Sequence, residues 1–258
     1  MHTSIPYTIE GHVAVITMSN PPANTWTRDS LDALAELIHG FNADTNIYSL
    51  VITGEGQKFF SAGADLKLFA DGNKQTAADM STAFGRAFEV LSQFRGLTIA
   101  AINGYAMGGG LEVALACDLR IAESQAQMAL PEAAVGLLPC AGGTQSLAWL
   151  VGEGWAKRMI LCGEKVTAQQ ALDIGLVEAV AEQGQALEQA MQWAHNSERQ
   201  SPTSVAACKR LIQNARTQPM FVGMARERDE FVNLFNSNDQ KEGVQAFLEK
   251  RKPQWTNS

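Results

Sequence analysis

Cysteine is scarce in this chain of 258 residues, and Cys117, Cys140, Cys162 and Cys208 stand far apart, without CxxC spacing. That pattern argues against zinc or redox use and fits a reduced, cytoplasmic setting. Of the histidines, His12, His39 and His195 fall into no Ser-His-Asp arrangement. Lys and Arg number 20 against 27 Asp and Glu, a formal net charge of −7, and they form no dense cluster. A nucleic-acid partner is not expected, because phosphate binding needs a basic surface. No stretch approaches the roughly 18 apolar residues of a membrane span, and no basic region followed by an apolar run opens the chain, so neither secretion nor a membrane partner is expected. Internal repeats and low-complexity segments are also missing.

What is present is an ordinary soluble α/β composition, 46% hydrophobic and 18% charged, in a chain long enough for a substantial core. Residues 7–10 and 12–18 alternate around Gly11, which predicts an opening antiparallel hairpin. Thr27 or Asp29 can start a helix carrying Leu31, Leu34, Leu37 and Ile38. Strands are predicted near 49–53, 98–103, 118–122 and 177–181, with helical spacing over 76–94 and from Leu111 onward. Thr144 is a fair cap for a helix through Leu150, and further helices are predicted over 153–161, 167–174 and 185–197. Strand and helix alternating in this way predict a mostly parallel, crossover-connected sheet. Beyond Arg199 only helices remain, near 202–215, 219–235 and 238–251. Phe221, Met224, Phe231, Phe235, Phe247 and Leu248 recur there at helical intervals, more apolar surface than a short tail buries alone.

The chemistry concentrates in two glycine-bearing stretches. Gly108, Gly109 and Gly110 fall between an apolar β-like run and a helix start, which leaves several first-turn amides unpaired beside the carboxylate of Glu112. Gly63 and Ala64 close an earlier β-like run. Two such loops could aim amides at one oxygen, as an oxyanion hole requires, although each could also be a plain tight turn. Glu132 follows Pro131 in a broken strand. Two carboxylates in one apolar cleft cannot both ionise cheaply, so one is pushed toward holding a proton while the other serves as a base. For a single Glu at a helix start taken alone, favourable placement on the dipole is the favoured reading. The glycine run is not a dinucleotide fingerprint, since GxGxxG fails on spacing.

Taken together, Phe60 to Lys67, Ala100 to Glu112, Cys117 to Ala122, Leu130-Pro131-Glu132 with Gly136, and Ala141 to Gln145 resemble the enoyl-CoA hydratase/isomerase family, the crotonase superfamily. The order and spacing of these motifs over nearly the whole chain carry the resemblance. It implies an α/β fold built as a crotonase-like spiral of repeated ββα units over residues 1–199. It also implies a C-terminal all-helical trimerisation region over 200–258, giving a homotrimer or a dimer of trimers.

The resemblance further implies an acyl-CoA thioester substrate whose carbonyl oxygen lies between the amides of Ala64 and Gly109. Glu112 would activate water and Glu132 would deliver a proton, in the pattern of a two-glutamate enoyl-CoA hydratase. Another acyl-CoA reaction of the family (isomerase, hydratase-lyase or thioester hydrolase) and a non-catalytic acyl-CoA-binding subunit are the alternatives. Coenzyme A would enter as part of the substrate, near Lys58, Ala62, Lys67 and Lys250, with no metal and no redox cofactor. Cys140 stands where hydratases commonly have Gly, and Ser146 where Arg is frequent. A small hydrophobe is the favoured reading of Cys140, with no sign of a lowered thiol pKa. Phe69, Met80, Phe84 and Phe88 could line an acyl pocket or simply fill the core.

Overall fold

The structure, a computed structural model, describes residues 5–258. Its strands are β1 (Tyr7–Glu10), β2 (Val13–Met18), β3 (Ser49–Gly54), β4 (Phe59–Ser61), β5 (Leu97–Ile102), β6 (Tyr105–Met107), β7 (Leu119–Glu123), β8 (Gln127–Ala129), β9 (Val166–Thr167) and β10 (Ala179–Ala181). Its helices are α1 (Arg28–Ala43), α2 (Lys74–Ser92), α3 (Gly109–Ala116), α4 (Gly143–Leu161), α5 (Ala168–Asp173), α6 (Ala186–Ser197), α7 (Pro202–Asn214), α8 (Met220–Leu234) and α9 (Asn238–Leu248).

The strands form two sheets, one six-stranded in the order β1-β2-β3-β5-β7-β10 and one four-stranded in the order β4-β6-β8-β9. Only the β1·β2 and β8·β9 pairings are antiparallel among those described. Each turn of the chain contributes one strand to each sheet and then a helix: β3-β4-α2, β5-β6-α3 and β7-β8-α4. This is the ββα repeat that the motifs imply. The corner between β5 and β6 is tight. A methyl group at Gly104 would lie 2.3 Å from the Lys58 carbonyl oxygen, which belongs to the neighbouring corner.

Both faces of the large sheet are covered. Ala14, Ile16, Leu50, Ile52, Ala100 and Ile102 pack toward α1, α2 and α3, and Val13, Val51, Ile99 and Ile121 toward Ala186, Ala190 and Ala194 of α6. The expected alternation of the first hairpin is therefore not observed. β1 is exposed along its whole length, while β2, an inner strand between two layers, is buried on both faces except at partly buried Thr17.

Local signals set the helix starts. Thr27 caps α1 in a reciprocal box with Ser30, and Asn73 caps α2 by accepting from the Gln75 and Thr76 amides. Thr144 is not a cap. The helix begins one residue earlier behind Gly142, whose φ of 97° only glycine adopts freely, and the two helices expected at 144–150 and 153–161 form one run kinked at Gly152.

In the tail, α7 is tied to the sheets by Lys209, whose Nζ lies 2.7 Å from Asp118 and donates to the Gly96 carbonyl at 2.9 Å. Asp239 of α9 is 1% exposed and organises the residues that follow. It accepts from the amides of Thr256 (2.8 Å) and Asn257 (3.1 Å) and from the hydroxyl of Ser201 (3.2 Å). Asn257 then donates to the Thr45 carbonyl at 2.8 Å, strapping α9 to the core. Replacing Asp239 with Ala strands these donors, and the expected loss is about 1–3 kcal/mol of unfolding free energy. Denaturant unfolding reads that loss, and faster amide exchange at Thr256 and Asn257 locates it.

Candidate active site

The three consecutive glycines are each pressed against a different neighbour. At Gly108, with φ of 55°, a methyl group would lie 3.1 Å from Glu132 Oε1. At Gly109 it would lie 2.8 Å from the Phe84 ring, and at Gly110 2.0 Å from the Ser61 carbonyl oxygen. Any side chain at Gly110 would push the first turn of α3 off β4. The result is a helix start seated between the two glycine loops, since the Gly109 amide nitrogen would be 2.8 Å from a methyl group on Gly63.

Neither the Ala64 nor the Gly109 amide donates a hydrogen bond among the described residues. Both residues line a cavity of about 710 Å³, together with Ala62, Glu112, Glu132 and Cys140. The chain around Ala64 is held by a bridge to Trp26, whose amide donates to the Gly63 carbonyl at 2.8 Å. Unspent amides at a helix start carry partial positive charge and suit an oxygen that gains negative charge.

Glu112 lies in the first turn of α3 and is 2% exposed. Its Oε1 accepts from the amides of Ala141 at 2.7 Å and Gly143 at 2.9 Å. Burial nonetheless raises its pKa, against the lowering effect of those amides. Glu132 opens a 3₁₀ turn, Glu132–Val135, that follows β8. Its Oε2 is buried with no hydrogen-bond partner among the described residues. Burial first, and the Glu112 charge to a lesser degree, push its carboxyl up to about 7 against the pull of its own backbone amide. The pair therefore faces one cavity from two elements, with one carboxylate gripped by the amides of Ala141 and Gly143 and the other left without a partner at Oε2 among the described residues.

Cys140 opens onto the same cavity, and burial there together with the charges of Glu112 and Glu132 pushes its thiol up to about 11. A protonated thiol at neutral pH agrees with the reading of a small hydrophobe and not of a nucleophile. Among the candidate coenzyme residues, only Ala62 lines the cavity. Lys58 lies over the Phe59 ring at 5.3 Å, Lys67 sits in the 3₁₀ turn Leu66–Phe69, and Lys250 follows α9 with φ of 55°. Met80, Phe84 and Phe69 do line it, while Phe88 packs in the core against Trp26. Among the described residues, no group of three or more His, Cys, Asp or Glu is placed to hold a metal ion. None of the helices among the described residues is long and apolar enough to cross a membrane.

The role of Ala141 and Gly143 in holding Glu112 was not legible from sequence, where the stretch reads as a flexible loop. Its signal is the Gly142-Gly143 pair, because a methyl group at Gly143 would lie 2.9 Å from Glu112 Oε1.

The raised carboxyl of Glu132 fixes the sign of a pH effect. Its contribution to stability is complete below the ordinary Glu value of about 4.3 and is lost as pH rises through about 7. Glu132→Gln should therefore stabilise the protein at pH 8 by about 1 kcal/mol after allowance for partial exposure, or about 2–4 °C in Tm. The gain should be smaller at pH 5, and thermal unfolding at the two pH values measures the difference.

A sequence model of the enoyl-CoA hydratase/isomerase family matches residues 8–258. A probable enoyl-CoA hydratase of Bacillus subtilis is 38% identical over 255 residues, 98% of each chain. The 2,3-dehydroadipyl-CoA hydratase of Escherichia coli is 39% identical over 244 residues, 93% of this chain and 94% of the other. Among solved structures, Pseudomonas aeruginosa DspI superposes with a TM-score of 0.95 at 61% identity, covering 98% of this chain and 96% of that one. With its two-sheet ββα spiral and its helical tail, the chain belongs to the enoyl-CoA hydratase/isomerase family of crotonase-fold enzymes.

Proposed function

We propose that this enzyme adds water across the 2,3 double bond of a 2-enoyl-CoA to give a 3-hydroxyacyl-CoA. The observation that carries the reading is the meeting of two amides that donate to no described residue, the buried carboxyl of Glu112 and the half-buried carboxyl of Glu132 in one cavity. In this reaction the thioester oxygen accepts from the amides of Ala64 and Gly109. Glu112 takes a proton from water as the water oxygen bonds to C3, and the double-bond electrons move onto the thioester oxygen. The resulting enolate is held by the two amides, then collapses as Glu132 delivers its proton to C2.

The electrostatics support that division. Amides fixed at a helix start need no reorganisation when negative charge grows on the oxygen. A carboxyl raised to about 7 carries its proton over much of the neutral range, as a general acid requires. Glu112, raised but gripped by amides, is the better candidate for the ionised partner.

Coenzyme A would lie along Ala62, with Lys58, Lys67 and Lys250 as candidates for its phosphates, a few cations at one rim of an otherwise acidic protein. The same reading takes 1–199 as the core and 200–258 as an oligomerisation region. The exposure of Met220, Phe221, Phe231 and Phe247 supports burial of the tail between subunits. The reading takes the assembly as a homotrimer or dimer of trimers, working in the cytoplasm.

Hydration is followed by loss of the enoyl-thioester absorbance on crotonyl-CoA and longer enoyl-CoAs. Glu112→Gln and Glu132→Gln should each lower kcat by about 10²–10⁴ while acyl-CoA binding changes little. If no enoyl-CoA is hydrated although thioesters bind, hydration is wrong. Ala64→Pro, which deletes one amide, should cost on the order of 10²–10³ in kcat, read in the same assay with circular dichroism as a check on folding.

A further inference from the structure

The cavity continues past the catalytic groups along α2. That helix turns Ala77, Ala78 and Ser81 toward it, with Met80 and Phe84 on the adjoining buried face. Val135, Leu137 and Leu138 also line it and remain 43–67% exposed. At about 710 Å³ the space is within the range of sites that enclose drug-sized ligands, more than a four-carbon acyl group fills.

Two features give this wall its chemistry. Ser81 spends its hydroxyl on its own helix, donating to the Ala78 carbonyl at 3.0 Å, so it offers the cavity little more than a methylene. Glu112 and Glu132 are the only acidic side chains among the lining residues, and no Lys, Arg or His stands beside them. A carboxylate carried into this space would find no cation to pair with and would lie in one apolar cavity with the ionised Glu112, which disfavours its burial.

We propose that this wall selects an uncharged, extended hydrocarbon chain and rejects a chain of similar length ending in a carboxylate, with Ala78 and Ser81 setting how much chain is accommodated. The proposal rests on the acyl-CoA reading of the site and names the class of acyl group. The small side chains at 78 and 81 leave a groove beside Met80 and Phe84 that a larger residue would fill. Each methylene buried there tightens binding by up to about fourfold.

Binding of saturated acyl-CoAs, measured by calorimetry on the intact protein, tests this without turnover. From butyryl- to hexanoyl- to octanoyl-CoA, Kd should fall by about twofold to fourfold per methylene. Adipoyl-CoA should bind at least about 30-fold more weakly than hexanoyl-CoA. Ser81→Leu and Ala78→Leu should each shrink the octanoyl-to-butyryl preference by about tenfold. Ala78 is exposed at the cavity mouth, so its variant keeps the test open if Ser81→Leu misfolds. Equal Kd across the series, adipoyl-CoA binding as well as hexanoyl-CoA, or a preference unmoved in both variants would overturn the proposal. A graded Kd without hydration of any enoyl-CoA supports the subsite while removing the hydratase reading; hydration with a flat Kd series does the reverse.

Discussion

The site depends on close contact without side chains at the start of α3. Gly108 admits the Glu132 carboxyl, Gly109 the Phe84 ring and Gly110 the Ser61 carbonyl, so three consecutive residues anchor one helix end to three separate elements. Because the helix is fixed there, its Gly109 amide lies beside the Gly63-Ala64 loop and its Glu112 side chain reaches the loop at Ala141 and Gly143. A helix start carrying a single methyl group would separate parts that must stay within hydrogen-bond reach, and catalytic geometry tolerates little misplacement. The spiral supplies the rigidity. Each corner passes between the two sheets, and the β5–β6 corner at Gly104 touches the corner before it at Lys58.

Much of this was legible in the sequence because the governing signals are local. Apolar runs fixed the long strands of the large sheet, Thr27 marked the start of α1, and the unbroken helical periodicity after Arg199 marked the tail. Glu112 and Glu132 stood out as carboxylates beside glycine or proline punctuation, and the structure turns both into one cavity. Two of the short strands were lost. Tyr105–Met107 reads as part of a glycine junction, yet it is β6, and Val166–Thr167 reads as a helix start although it pairs as β9. Runs of two or three residues carry no usable periodicity, so only pairing with a distant strand reveals them. The grip on Glu112 was hidden for a related reason. It is made by backbone amides, which every residue has, and sequence records only the glycine that makes room for the carboxylate.

The apolar cavity and the ionisable pair are two consequences of one choice. An apolar lining draws little water, and the loss of hydration is what pushes both carboxyl groups upward. The protein leaves the two unequal. Glu112 receives amides from Ala141 and Gly143, which favour its charged form, whereas the Oε2 of Glu132 receives nothing from the described residues. Two carboxyls with matched surroundings would share one proton indifferently; unequal hydrogen bonding makes one a better base and the other a better acid.

That asymmetry also explains why the bare oxygen persists at a cost to stability. A buried acceptor without a donor is disfavoured by roughly 1–3 kcal/mol, and a donor placed on Glu132 Oε2 would remove the penalty. The same donor would stabilise the ionised form, lower the pKa away from 7 and take away the proton that the proposed reaction requires at neutral pH. Core packing on the α6 face of the six-stranded sheet can absorb such a local loss, because it rests on Val13, Val51, Ile99 and Ile121, none of which lines the cavity. Stability is thus held in the sheet and forgone at Glu132, where burial without a donor on Oε2 raises the carboxyl toward the protonated form that the proposed acid role calls for.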